Sequence, residues 1–347
     1  MRRKRNKRKL KPYLEDRRQL RMTQFPSDKR QTYSQDWKAY DKAQCAEQGT
    51  FMKLLADLCQ NIEQPPYEFG RPKLPISDMV FASALKVYST FSLRRFMTQM
   101  QKAVTEGYVD TFCSYSSVSN YMRKAEMTPI LYELVSLSCL PLASVETTFG
   151  IDSSGFGISR FGRYFDFKHG RDKKYKKWVK AHICCGVKTN VVTAVQLTDG
   201  NSNDYPFFTP LLEKTVQAFN VKEVVADKAY LSRAHLQQVE DFGATPFIPF
   251  KKNSKGRSLS APVWKKMYHY FSLHREDFMK HYHQRSNVET VFHMVKSKFK
   301  DNVRSKHETA QFNEVLLKIL CHNICVVIQE MHELGIQADF LDARSQV

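Results

Sequence analysis

Apolar residues recur at mixed spacings of three and four through most of residues 34–143, a period typical of amphipathic helices. The stretch PPYEFGRPKLP, residues 65–75, interrupts this pattern with four prolines and a glycine. Further on, the Ser-rich stretch CSYSSVSN leads into a short predicted helix that carries Arg123 and Lys124. The pattern therefore predicts a small all-α domain over residues 34–143.

Arg123 and Lys124 make this helical domain a candidate for DNA binding. A helix-turn-helix places its second helix in the major groove, and a short helix with these two cations is compatible with that role. Many small helical bundles show the same pattern without binding DNA, and the sequence leaves both interpretations open.

The period changes at Ser144, from which short apolar and β-branched runs replace the helical spacing. The predicted order begins with three strands, the second and third joined by a hairpin at residues 188–190. Helix, strand, helix, strand and helix then follow. This order predicts an α/β domain over residues 144–335, with a mixed sheet flanked by helices. Residues 336–347 remain as a C-terminal tail.

Two aspartates stand where apolar strands are predicted to end. Asp152 ends the first strand, in GIDSSGFG, and Asp227 ends the fourth, in VVADKAYLS. An Asp in such a position is often a turn or cap residue, so neither aspartate alone indicates a catalytic site.

The stretch YHQRSNVETVFHMVK, residues 282–296, predicts one continuous amphipathic helix. At about 100° per residue, four polar side chains fall within roughly 60° of one face: Tyr282, Arg285, Glu289 and Lys296. We call these four residues the row. The adjoining face is an apolar stripe of Val288, Val291, Phe292, Val295 and Phe299. A surface helix with Glu–Lys pairs is one interpretation, but Glu289 and Lys296 are farther apart than such pairs reach.

The spacing Tyr-x2-Arg-x3-Glu-x6-Lys resembles the signature of one branch of the DDE transposases of bacterial insertion sequences. The stretches GIDSSGFG, HICCGVKTNVVTAVQLTDGNSNDYPFF and VVADKAYLS also resemble the catalytic core of that family. The resemblance implies a ribonuclease-H-like mixed sheet flanked by helices, preceded by a small all-α domain. In that fold the first and fourth strands are neighbours, so Asp152 and Asp227 would emerge at one edge, beside the helix that bears Glu289.

The resemblance also implies roles for these side chains. Asp152, Asp227 and Glu289 are the implied catalytic and metal-binding carboxylates. Without cations three converging carboxylates would repel one another. Two Mg²⁺ ions, with Mn²⁺ able to substitute, would hold the attacking and leaving oxygens of a phosphodiester. DNA phosphates would be held by the other three members of the row, Tyr282, Arg285 and Lys296.

The overall charge agrees with a polyanionic partner. The 347 residues contain 54 Lys plus Arg against 35 Asp plus Glu, a formal net charge of +19, which nucleic acid binding explains most simply. No run of about 18 apolar residues predicts a membrane span, and the N-terminus lacks the apolar run of a secretory signal. Eight cysteines without C-x2-C spacing indicate a reduced, cytosolic protein.

Two segments concentrate the positive charge. Residues 1–33 form a basic arm, predicted to be disordered when free, that either tracks a DNA backbone or only aids solubility. Residues 160–180 interleave cations such as Lys174 and Lys177 with aromatic side chains, which suits DNA contact and base stacking. A solvated hairpin whose aromatic side chains fill the core is the alternative.

The resemblance implies a DNA transposase, bound as a homodimer to the double-stranded terminal inverted repeats of its element. It would hydrolyse a strand at each end and join the 3′-OH to target DNA. We expect it in the prokaryotic cytoplasm, associated with the nucleoid. A metal-dependent nuclease that cuts without joining is an alternative, and so is a non-catalytic DNA-binding protein derived from a transposase.

Overall fold

The structure is a computed structural model of the 347-residue chain. It describes residues 36–60, 62–66, 69–70, 72–158, 177–256, 261–338 and 340. The predicted arm at residues 1–33 lies outside these ranges, and so does Lys174. Met1–Lys38 and Ala39–Val347 form two separate units, and the description below concerns the second.

Helices cover the part of the chain in which the all-α domain is predicted. Their bounds are Trp37–Gln60 (α1), Ile76–Tyr88 (α2), Leu93–Thr105 (α3), Tyr115–Tyr121 (α4) and Met127–Ser138 (α5). Ser114 starts α4, because its hydroxyl accepts a hydrogen bond from the backbone N–H of Ser117 at 3.2 Å. The predicted helical pattern is therefore present, and a 3-10 turn over Leu140–Leu142 leads from it towards the sheet.

Arg123 and Lys124 do not lie on a helix, contrary to the prediction. α4 ends at Tyr121, and both residues stand in the turn that leads to α5. Asn313, a buried residue of a later helix, donates its side-chain amide to the carbonyl oxygens of Met122 (3.0 Å) and Lys124 (3.4 Å). This tertiary contact satisfies carbonyls that a continuing helix would otherwise use.

Five strands form one mixed sheet in the order β3-β2-β1-β4-β5. Their bounds are Thr148–Gly157 (β1), Trp178–Gly186 (β2), Val192–Asp199 (β3), Glu223–Ala226 (β4) and Thr245–Phe247 (β5). β1, β2 and β3 pair antiparallel, whereas β4 and β5 run parallel to β1. Three antiparallel strands followed by two parallel ones confirm the predicted ribonuclease-H-like fold class.

The helices that follow the third strand pack on this sheet and beside it. Their bounds are Phe208–Val216 (α6), Arg233–Asp241 (α7), Pro262–Leu273 (α8), Arg275–His283 (α9), Ser286–Phe299 (α10) and Glu308–Glu333 (α11). Short 3-10 turns precede α6 at Tyr205–Phe207 and follow β4 at Lys228–Tyr230.

α11 is the central helix of the molecule. It is long and apolar enough to span a membrane, but 89% of its most apolar window is buried inside the fold, as expected of a core helix. The side chain of Asn323 accepts a hydrogen bond from Val192 N (2.9 Å) and donates to Val192 O (2.7 Å). It also donates to Ser138 Oγ at 2.9 Å. α11 therefore joins the all-α part of the chain to the sheet through satisfied polar contacts as well as apolar packing.

Candidate active site

Asp152 and Asp227 lie side by side where the parallel pair of β1 and β4 ends. The last paired residues of that ladder are Ile151 and Ala226, and the two aspartates come directly after them. Because both strands run in the same direction, their carboxylates emerge at the same edge of the sheet. Asp227 also acts electrostatically on Asp152.

Asp152 does not end its strand, which corrects the prediction. β1 continues to Gly157, and Asp152 stands opposite Ile183 in the antiparallel ladder with β2. The stretch SSGFG has the composition of a turn, but pairing with β2 keeps it extended beyond the point where β4 stops. Asp227 does directly follow its strand, and its side chain accepts a hydrogen bond from Lys228 N at 2.6 Å.

The row from Tyr282 to Lys296 spans two helices instead of the one predicted. α9 ends at His283 and α10 begins at Ser286, with Arg285 in the connecting turn. The N–H groups of Arg285 and Val288 donate to carbonyl oxygens three residues earlier (2.9 and 3.0 Å), a tighter spacing than in an α-helix. The chain keeps its right-handed path through this tightened turn, and the row still faces β1.

Arg285 bridges two of the three carboxylates. Its guanidinium donates from one nitrogen to Asp152 Oδ2 and from the other to Glu289 Oε1, each at 2.5 Å. The Arg285 side chain is 19% exposed, against 62% for Glu289, so the bridge reaches from the interior to the surface. Burial raises the pKa of Asp152 and outweighs the hydrogen bond from Ser153 N and the attraction of Arg285, which lower it.

Lys296 contacts the same strand two positions beyond Asp152. Its ammonium donates to Ser154 Oγ at 2.6 Å and lies 5.2 Å from the ring centroid of Phe156. Asp152, Ser154 and Phe156 alternate along β1 and so share one face of the sheet. Burial lowers the pKa of Lys296. Together with Arg285, this cation places positive charge along the face that carries Asp152.

Tyr282 completes the row at the end of α9. Its side chain is half-buried, and burial raises its pKa, although the neighbouring Arg285 acts in the opposite direction. The structure therefore places Tyr282 beside Arg285, which contacts both Asp152 and Glu289.

Asp204 belongs to the surroundings of this site, and the sequence analysis missed it. Its Oδ1 accepts from Ser153 Oγ (2.7 Å) and pairs with the ammonium of Lys180 (2.6 Å). His182 Nδ1 lies 3.3 Å from the same oxygen, without the geometry of a hydrogen bond. Burial would raise the pKa of Asp204, but the hydrogen bonds from Lys180 and Ser153 outweigh it and lower that pKa. The network fixes the residue next to Asp152.

Three further predicted DNA contacts belong to the described residues, and none of them contacts the three carboxylates. Lys177 is exposed directly before β2, and Arg123 is exposed in the turn after α4. The ammonium of Lys124 lies over the ring of Tyr121, 3.9 Å from its centroid.

The donor set at this edge suits a hard divalent cation, because carboxylate oxygens are the ligands that Mg²⁺ takes. Among the described residues, however, no three His, Cys, Asp or Glu side chains lie close enough together to hold a metal ion. Arg285 stands between Asp152 and Glu289, so each carboxylate contacts a guanidinium nitrogen. The chemistry of the residues fits such an ion, whereas in their present arrangement Arg285 offsets part of the negative charge.

Comparison with known proteins gives a matching family and a similar solved structure. Residues 144–324, just over half of the chain, match the family described as transposase DDE domain. No curated protein matches the chain. A similarity is found to the cryo-EM structure of the piggyBac transposase synaptic complex with hairpin DNA, with a TM-score of 0.41 and 12% sequence identity. That alignment covers 86% of this chain and 76% of that chain.

Proposed function

Because the chain belongs to the transposase DDE domain family, we propose that it is a DNA transposase whose reacting centre lies at Asp152, Asp227 and Glu289. One observation carries this proposal. Asp152 and Asp227 follow a pair of parallel strands, and Glu289 is joined to Asp152 by a shared guanidinium. Two acidic side chains thus lie where the parallel pairing of neighbouring strands ends, and the third reaches them through Arg285.

Asp152, Asp227 and Glu289 would hold the metal ions, two Mg²⁺ with Mn²⁺ able to substitute. Bound ions would neutralise the phosphate charge and lower the pKa of the attacking water. Arg285 would release the Asp152 and Glu289 oxygens that it now contacts, so that both oxygens of each carboxylate could bind such ions. This exchange would replace one positive charge by others, so the carboxylates would keep a counter-charge throughout.

The released guanidinium would take a DNA phosphate as its new partner. Arginine binds phosphate with the same forked geometry with which it binds carboxylate. Lys296 contacts Ser154, two strand positions beyond Asp152, and would supply a second cation. Tyr282 would supply a hydroxyl donor. The three side chains would orient the scissile phosphodiester above the carboxylates.

We infer that the protein acts on a mobile element of the bacterial insertion-sequence type. As a homodimer in the prokaryotic cytoplasm, it would bind the terminal inverted repeats and hydrolyse one strand at each end. The freed 3′-OH would then attack a phosphodiester of the target DNA. A new P–O bond would form as one P–O bond of the target breaks, so the step would need no external energy source. The resemblance of the row to the Tyr-Arg-Glu-Lys signature supports this assignment.

A strand-transfer assay tests the proposal. Duplexes that carry the inverted repeat are incubated with the protein and Mg²⁺, either intact or pre-cut to expose the 3′-OH, together with a circular target. We expect nicking of the intact ends and joining of the pre-cut ends. Nicking without joining would identify a nuclease, and binding without either reaction would identify a non-catalytic DNA-binding protein.

A further inference from the structure

A cationic cleft lies away from the carboxylates, between the α2–α3 connection, the end of α4 and the α10–α11 connection. Two adjoining cavities of about 270 and 460 Å³ form it and share Phe91, Ser92 and Arg304. The basic residues that line it are Lys86, Arg95, Arg123, Lys300, Arg304 and Lys306. None of the described residues that line either cavity is acidic, so the cleft concentrates positive charge.

Arg304 sits at the centre of this cleft in a defined position. One guanidinium nitrogen donates to the carbonyl oxygens of Thr90 (2.5 Å) and Phe91 (2.9 Å). Its backbone N–H donates to both carboxylate oxygens of the buried Glu314, at 2.9 and 3.0 Å. Thr90 has a φ of 55°, in the left-handed region that costs a β-branched residue energy, and this conformation turns the α2–α3 connection at the cleft.

Four other cations of the cleft are available to a ligand. Arg95, Arg123, Lys300 and Lys306 are exposed, and none of them forms an ion pair with a carboxylate among the described residues. Elsewhere in the described chain, exposed lysines do form such pairs. Lys102 pairs with Glu106 at 3.6 Å, and Lys266 pairs with Glu240 at 3.2 Å.

The cleft is attached rigidly to the strand that bears Asp152. Gly157, the last residue of β1, donates to Asp301 O (3.0 Å) and accepts from Val303 N (2.8 Å). The buried Lys318 ammonium donates to Lys300 O at 2.9 Å and secures the same connection. Gly157 lies five positions beyond Asp152 on the strand, a distance of about 16.5 Å at roughly 3.3 Å per residue.

We propose that this cleft binds the phosphate backbone of duplex DNA at least five base pairs from the reacting phosphodiester. B-form DNA advances about 3.4 Å per base pair, so a duplex that starts at Asp152 spans the distance to Gly157, which adjoins the α10–α11 connection, in about five base pairs. The inference rests on the proposed function, because the carboxylates define where the DNA begins. Arg123 is among the DNA contacts expected from the sequence. In this cleft it would contact phosphates instead of bases.

The test compares two double variants that each remove two positive charges. Arg123→Ala with Lys306→Ala alters the cleft, and Lys102→Ala with Lys266→Ala is the matched control outside it. Affinity is measured against salt for a duplex that extends twelve base pairs from the scissile position and for one that extends three. Melting temperatures confirm that all proteins are folded.

We expect the cleft variant to bind the long duplex more weakly, with the slope of log K against log salt reduced by about 1.8, or 0.9 for each lost contact. Its binding to the short duplex and the control's binding to both should remain near wild type. Equal losses in the two variants, or equal losses on the two duplexes, would overturn the proposal. If this binding pattern is found but the protein never nicks DNA, the proposal for the cleft is supported and only the catalytic proposal is refuted.

Discussion

Gly150 on β1 and Val288 on α10 touch so closely that no side chain fits between them. A Cβ placed on Gly150 would overlap the Cγ2 methyl of Val288. The helix therefore lies directly on the strand backbone, and Val288 fixes the position of the next residue, Glu289. This contact sets the distance between the carboxylate on the helix and Asp152, two residues further along the strand.

Gly150→Ala should consequently damage both the fold and the site. Overpacking of a filled core costs typically about 1–3 kcal/mol, and we expect the free energy of unfolding to fall by that amount. Gly157→Ala is the control on the same strand, because a Cβ there meets no atom within 4 Å, and it should change stability by less than about 0.5 kcal/mol. Urea unfolding of both variants decides the matter, and equal stabilities would contradict the close approach.

The carboxylates should be needed for chemistry and dispensable for DNA binding. Asp152→Asn, Asp227→Asn and Glu289→Gln should each slow nicking by roughly a thousandfold or more, a barrier increase of about 4 kcal/mol. Affinity for the ends should persist, because cations that contact phosphates dominate it. Single-turnover nicking and a binding titration are measured on the same samples, with Asp241→Asn as a surface control. Near-normal nicking by any of the three would remove that residue from the site.

Members of the row should fail in different ways if their roles differ. Arg285→Ala should disrupt the DNA pose, and extra Mn²⁺ should not restore activity. Glu289→Asp keeps a carboxylate, so higher Mn²⁺ should recover part of its nicking. Tyr282→Phe loses one hydroxyl hydrogen bond, worth about 0.5–1.5 kcal/mol, and should slow nicking by roughly a few-fold to tenfold.

Lys296→Ala should resemble Arg285→Ala, since both remove a cation beside Asp152. If all of these row variants kept full activity and stability, the row would be an ordinary helix surface. If the row variants lost structure and activity together, the row would serve the fold alone. Melting temperature measured alongside nicking separates the two outcomes.

Stability should depend on pH through a histidine of α11. His322 is buried and its Nε2 lies 2.9 Å from Asn190 O; burial lowers the pKa of His322 from 6.5 to about 4. Between about pH 6.5 and 4, His322 is therefore protonated in the unfolded chain but neutral in the folded one. The free energy of unfolding falls as the pH drops through this range. His322→Gln should show a shallower decline across this window in urea unfolding. His332→Gln, exposed on the same helix, should retain the wild-type slope, and identical slopes for both would refute the assignment.

The basic arm at residues 1–33 is predicted from composition alone. Deletion of residues 1–11 removes eight Lys or Arg. If these residues track a DNA backbone, the slope of log K against log salt should flatten by about 0.9 for each lost contact. A slope identical to that of the full-length protein would limit the arm to solubility.

Much of the fold could be predicted because its signals are local. The change from helical spacing to short β-rich runs at Ser144 marks the start of the sheet region, and a hairpin does join β2 and β3 where Asn190 takes a φ of 66°. Asp227 was placed correctly because VVAD is an apolar run with an abrupt polar end. These patterns depend on neighbouring residues and so can be seen in one sequence.

The errors arose where distant residues decide the structure. The stretch SSGFG resembles a turn, yet its ladder with β2 extends β1 past Asp152. No proline or glycine marks the break at Arg285, which draws its partners from β1 and α10. Asp204 was missed because Ser153, Lys180 and Asp204 lie far apart in the chain and meet only in the folded sheet.

The bridge from Arg285 to Asp152 and Glu289 has a consequence for how the protein is made. A newly synthesised chain needs no ion from its surroundings to bring these acidic groups together, since it carries its own counter-charge in the sequence. Removal of this guanidinium would leave Asp152 and Glu289 to repel each other across the same gap, so its loss should weaken the packing of α10 on β1 as well. One side chain therefore serves both the assembly of this part of the fold and the electrostatics of the proposed site.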